Sequence, residues 1–163
     1  MKQTYYRLCI GGVLAALVFA ATTLLRIPSH MGYIHVGDAF IYLAACMLPH
    51  PHAAAVGAVG AALADVLSGY PIWAPGSAVI KAAAVFFFTA RRDKLLCPRN
   101  LLGLLPSFAV CIGGYYVYEA LITSNWVAPL AGLLPSLMQC VASAVVFVLL
   151  AAALDRLKLK KHL

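Results

Sequence analysis

Acidic residues are scarce in this chain. Five Asp and Glu stand against twelve Lys and Arg in 163 residues, and charged residues make up only 10% of the sequence. A soluble domain carries about 25% charged residues, so a soluble enzyme and a disordered tail are both excluded. The five cysteines, at 9, 46, 97, 111 and 140, are odd in number and lack C-x-x-C spacing. That excludes a disulfide scaffold, and they read as reduced, mostly buried small apolar residues. There is no G-x-x-x-x-G-K-[ST] segment, so ATP hydrolysis by this chain is not expected. There is no H-E-x-x-H and no dense Cys/His set; His50 and His52 read as part of a short turn, and no resident metal or cofactor is expected. Aromatic and basic residues do not interleave as a nucleic-acid platform requires. No Ser/His/Asp set falls in one depth layer, which leaves catalysis poorly supported.

What the sequence does have is apolar length. It is 64% hydrophobic, with a mean hydropathy of +0.93, more than a particle of this size can hide from water. The runs are continuous and rich in Ala, Leu, Val and Gly, unlike the alternating strands of a membrane barrel. Six of them occur, at about residues 8–25, 36–48, 53–67, 76–90, 101–123 and 134–154. A span needs about 20 residues, so six fit and seven do not. The expected fold is an all-α integral membrane domain covering residues 1–163, with six transmembrane helices. The first run could instead be a signal peptide ending near Val18-Phe19-Ala20, but its length and the apolar chain after it favour a retained span. The second and third runs are short and could form a re-entrant hairpin; full spans are the preferred reading. Pro106 is expected to end or kink the fifth helix.

Charge placement orients these spans. Lys2, Arg7, Arg91, Arg92, Lys94, Arg99, Arg156, Lys158, Lys160 and Lys161 fall on one side, and only Arg26 on the other. By the positive-inside rule both termini are cytoplasmic. The outer loops are then the ones rich in aromatic and turn residues.

Ionisable residues within spans are functional candidates by default. Four exist: Asp38, Asp65, Lys81 and Glu119. All lie within about two helical turns of the outer surface, roughly 8 Å. This pattern suggests a polar pocket open to the outside above an apolar floor. Asp65 and Lys81 could equally form an ion pair joining the third and fourth spans, and Asp38 could be a helix-capping residue. Tyr115 and Tyr118 share a helix face with Glu119. Trp73 and Trp126 suit either an interfacial belt or stacking on a flat ring. With Tyr33, His35, Tyr70, Asn125 and Gln139, these residues make up the candidate substrate-binding set. Three acids and one base give the cluster a nominal charge of −2, which favours a small ring bearing amino or hydroxyl groups over a phosphate ester. In the first span, Gly12, Ala16 and Ala20 form a small-residue ridge of the kind that lets helices approach closely. It serves either internal packing or docking to another membrane protein.

Two segments carry a resemblance. Gly32-Tyr33-Ile34-His35-Val36-Gly37-Asp38-Ala39 resembles the loop 1 to span 2 signature of the substrate-binding S components of energy-coupling factor (ECF) vitamin transporters. Residues 64–75, Ala-Asp-Val-Leu-Ser-Gly-Tyr-Pro-Ile-Trp-Ala-Pro, with Ile80-Lys81, are similar to the branch associated with hydroxymethylpyrimidine and vitamin B6 compounds. The resemblance implies a six-span subunit of a prokaryotic plasma membrane that captures a scarce vitamin from outside. It also implies docking, through the ridge of the first span, to a transmembrane T subunit driven by two cytoplasmic ATPases, followed by toppling in the membrane. ATP would be used by those partners, not by this chain. Nickel and cobalt S components begin with a His-containing motif, whereas this chain begins Met1-Lys2-Gln3, so metal transport is disfavoured. The readings from other classes are a small membrane enzyme using Asp38, Asp65 or Glu119 as acid or base, and a ligand-free assembly subunit.

Overall fold

The computed structural model describes the backbone of residues 2–29 and 32–158, and the side chains of residues 4–27 and 34–158. Six helices carry the fold: α1 (Lys2–Leu24), α2 (Asp38–Met47), α3 (His50–Leu67), α4 (Ala74–Ala84), α5 (Pro98–Thr123) and α6 (Leu133–Arg156). Short 3-10 segments adjoin three of them, Pro71–Trp73 before α4, Val85–Phe87 after it and Ala128–Gly132 before α6. Proline stands in the first turn of α3, α4 and α5, where its missing N–H has no intrahelical partner to lose. Pro106 neither ends α5 nor divides it: the helix runs 26 residues through it. A proline within an apolar helix is tolerated when its surroundings re-satisfy the freed backbone group.

Between α1 and α2 lies a polar stretch, from Arg26 to His35, that falls outside the apolar runs. It forms an antiparallel hairpin, β1 (Arg26–Ser29) paired with β2 (Gly32–His35), with Arg26 opposite His35.

Neighbouring helices follow the order α1, α3, α4, α5, α6, α2 and back to α1, and α2 also touches α3. α2 therefore closes the ring between α6 and α1 and lies against α3. Most of α2 is buried, including Ala39, Tyr42, Ala44, Ala45 and Cys46, and a helix that is apolar all round belongs in an interior. Its lower half meets Phe88 and Phe147. The Tyr42 ring stacks on Phe88 at 5.1 Å and meets Phe147 edge-on at 5.9 Å. With Ile41, Leu43 and Val85 these rings form a packed apolar layer.

The outside of the bundle is as apolar as the inside. Val13, Leu102 and Leu149 are each more than 60% exposed. Among the described residues, three helical segments are long and apolar enough to cross a membrane, Thr4–Leu24, Pro98–Thr123 and Ala128–Arg156. At 10 residues α2 spans only about 15 Å, half the hydrocarbon core.

Candidate functional site

The hairpin delivers the chain into α2 through a tight junction. Gly37 sits where α1 passes closest. An added Cβ there would collide with Thr22 Oγ1 and lie 3.1 Å from the Val18 carbonyl oxygen. The backbone at Gly37 is ordinary right-handed helix (φ −58°), so close approach, not backbone freedom, requires glycine. Its N–H donates to His35 Nδ1 at 3.1 Å. Nδ1 is thus an acceptor, and the imidazole is neutral. Burial holds its pKa down at about 4, with the Lys81 charge adding and the Asp38 charge opposing. Ser143 of α6 donates to the His35 carbonyl at 3.4 Å.

Asp38 makes no helix cap. Its carboxylate turns across the bundle to α4, where Lys81 Nζ lies 2.8 Å from each of its oxygens. Both side chains are almost fully buried. Gln139 of α6 donates to Asp38 Oδ2 at 3.2 Å. From α5, the Tyr115 ring centroid lies 5.0 Å from the ammonium, a cation–π distance. Cys111, one turn away on α5, places Sγ 3.9 Å from it. Four helices therefore converge on one neutral pair. The sequence left open whether Lys81 pairs with Asp65 or serves the pocket; in the structure its ion pair is with Asp38 of α2, reached across the bundle.

An aromatic wall stands beside the pair. Trp73 is half-buried, with its ring 6.2 Å from Tyr115 and 5.9 Å from Tyr118. Tyr118 donates to the Ile72 carbonyl at 2.7 Å, and Ser77 shares a hydrogen bond with the Tyr115 hydroxyl at 2.9 Å. Gly76 is required beneath the Tyr118 ring, because an added Cβ would lie 2.6 Å from it.

Of the candidate residues, His35, Asp38, Trp73, Lys81, Tyr115 and Gln139 come together. Asp65 is buried near the end of α3, and Glu119 is buried at the opposite end of α5 from Pro98, facing Gly132. Tyr70 is exposed. Asn125 and Trp126 serve the outer loop: Asn125 Oδ1 accepts from the Val127 and Ala128 N–H groups, and the exposed Trp126 packs on Tyr116 and accepts its hydroxyl at 2.8 Å through the carbonyl. The Tyr33 side chain lies outside the described residues. Sequence reading missed Ser77, Cys111 and Ser143. The first two lie one helical turn before Lys81 and Tyr115, so the helical period that grouped Glu119 with Tyr115 would have found them.

The ridge of α1 separates into two rows. Gly11, Ala15 and Val18 face the bundle: Gly11 meets Val56, and Gly60 of α3 packs against Val18 and the Ala15 carbonyl. Gly12 has open space where its side chain would be, Ala16 is exposed, and Ala20 is half-buried.

Residues 2–156 match the family described as ECF-type riboflavin transporter, S component. The chain belongs to that family of ECF S components. These are membrane-embedded substrate-binding subunits of transporters, which work with T and ATPase subunits. The S component described here is also similar to a protein of Pyrococcus woesei described as "Uncharacterized protein in gap 3'region". The two are 44% identical over 101 residues, 60% of this chain and 68% of the relative. Asp38, held by Lys81 and Gln139, is not a free carboxylate available as an acid or base. Its geometry fits the binding role of the family.

Proposed function

We propose that this chain is the capture subunit for a small, flat nitrogen-ring vitamin or vitamin precursor of the pyrimidine or pyridine type, such as a hydroxymethylpyrimidine or vitamin B6 compound. The observation that carries the proposal is the neutral Asp38–Lys81 pair, set beside the Trp73–Tyr115 wall and above the Tyr42–Phe88–Phe147 layer. With its acid and base paired, that centre attracts no strongly charged ligand. It offers a ring face and polar edges to a neutral heterocycle. All six helices cross the prokaryotic plasma membrane in this reading, the short α2 and α4 lengthened by their flanking segments, with the hairpin and Trp73 outside and both termini in the cytoplasm. The packed layer below the pair leaves no polar path through the bundle, which supports delivery by movement of the whole subunit with its T and ATPase partners.

Native mass spectrometry of the mildly solubilised chain tests the substrate, followed by titration with hydroxymethylpyrimidine, pyridoxine and riboflavin. A retained or tightly bound pyrimidine or pyridine is expected. Preferential binding of riboflavin would move the substrate to the one in the family's description. A dianionic phosphate ester or an aliphatic lipid in the site would overturn the proposal.

A further inference from the structure

At the end of the bundle away from Asp38 lies a cavity of about 1000 Å³. Arg7 of α1, Arg91 and Arg92 of the loop after α4, and Arg99 of α5 line it together with His50. Among the described residues, no acidic side chain lines it. Its other wall is apolar, with Ile10, Met47, Leu48 and Phe88. Tyr6 and Arg7 bring the first turns of α1 to the same opening.

The basic loop is held in place from both sides. Asn100, fully buried, accepts from the Thr89 N–H at 2.8 Å and donates to the carbonyls of Thr89 and Leu95 at 3.2 and 2.9 Å. Asp155 of α6 accepts from the Leu95 and Leu96 N–H groups at 2.8 and 3.0 Å. Asp155 is thus occupied by the loop backbone, and Asp93, the loop's own carboxylate next to Arg92, is exposed and is not among the residues that line the cavity. His50 hydrogen-bonds the Phe88 carbonyl at 2.9 Å, tying the start of α3 to the start of the loop.

Four guanidinium groups around one opening make a site for an anion, and guanidinium geometry suits phosphate oxygens. The apolar wall beside them suits acyl chains. Basic pockets between helices on the cytoplasmic side take anionic lipid headgroups by this combination. We propose that the cavity holds the phosphate headgroup of an anionic phospholipid of the inner leaflet, with its chains along Ile10, Met47 and Leu48. The assignment rests on the topology proposed above, but not on the identity of the vitamin. Bound lipid would fix the depth of this end of the subunit in the bilayer.

Native mass spectrometry of the full chain, titrated with phosphatidylglycerol or chain-matched phosphatidylcholine, provides the test. The wild-type chain is expected to retain phosphatidylglycerol preferentially. Removing two arginines in Arg91→Gln/Arg92→Gln should weaken that binding about thirtyfold, and Arg91→Lys/Arg92→Lys should restore most of it. Lys94→Gln/Lys158→Gln removes the same charge outside the cavity and should change binding less than about threefold. All four positions are exposed, and unchanged thermal midpoints will show that the variants fold. Equal losses in the two Gln pairs, or equal binding of the two lipids, would overturn the site. Stabilisation by inorganic phosphate alone, as large as that by lipid, would overturn the lipid assignment. So would lipid-independent loss of ATPase-subunit copurification in the Arg91→Gln/Arg92→Gln variant. Vitamin binding need not change in any of these variants, so a failure here is distinct from a failure of the substrate reading.

Discussion

Asp38→Asn is the sharpest perturbation of the site. The substitution keeps the shape of the side chain and leaves a carbonyl to accept from Lys81 and Gln139, but it removes the countercharge. At 2.8 Å and an effective dielectric constant of about 20, the lost attraction is about 6 kcal/mol. The remaining hydrogen bonds and local relaxation return part of it. Breaking one side of a buried pair typically costs about 3–5 kcal/mol, and the lower end is expected because the amide remains a partner. Replacing both partners with apolar or neutral groups, Asp38→Asn with Lys81→Met, removes the stranded charge. The double variant should recover at least half of the loss. Thermal unfolding in a fixed detergent reads both effects, with the single variant losing about 10 °C at 2–4 °C per kcal/mol. A single variant that melts within about 2 °C of wild type would refute the buried pair as a structural centre. So would a double variant no better than the single. Ligand titration on the same samples separates the roles. A stable Asp38→Asn chain that has lost only affinity would make Asp38 a ligand contact instead.

Other perturbations test the remaining assignments. Glu119→Gln should weaken vitamin binding about ten- to a hundredfold, the cost of a lost charged hydrogen bond, while the melting midpoint changes little; unchanged affinity would remove Glu119 from the site. Ala16→Leu should leave ligand affinity intact and abolish uptake and T-subunit copurification, whereas persistent uptake with an intact complex would reject the docking role. Gly60→Val should do the reverse: an added Cβ lies 2.8 Å from Val18 Cβ, and overpacking there should cost about 1–3 kcal/mol of stability without selectively affecting assembly. His35 has a folded pKa of about 4 against an ordinary 6.5, so the unfolded state takes up the proton first as pH falls. Its stabilisation is full above pH 6.5 and lost between about 6.5 and 4, up to about 3 kcal/mol. His35→Asn, which keeps an acceptor for Gly37, should flatten that part of the melting-versus-pH curve, and an unchanged slope would exclude His35 as its source.

The helices were legible because apolar run length and proline placement are local properties. The run at 101–123 became α5, Pro98–Thr123, and the run at 134–154 became α6, Leu133–Arg156. The hairpin was not legible: its strands are four residues each, too short for alternation to register, and β1 contains Pro28. Trp73, Tyr115, Lys81 and Gln139 could be grouped by depth, since depth follows from counting along each helix, and the structure brings them together. The partner of Lys81 stayed open, because the azimuth of one helix against a non-adjacent one depends on how the whole ring closes. The same limit explains Asn125 and Trp126, whose depth fits the site but whose loop turns them to local backbone and to Tyr116.

The two rows on α1 have a practical consequence. One row is knitted into Val56, Gly60 and the bundle, and the row one position later in the chain faces open space at Gly12 and Ala16. Packing and exposure are therefore divided between neighbouring positions of the same helix. If the outer row is the docking face, rewriting positions 12, 16 and 20 should redirect the subunit to another energising module while the vitamin pocket is left as it is. Such an exchange would treat the capture domain as an interchangeable cartridge whose coupling is set by three small side chains.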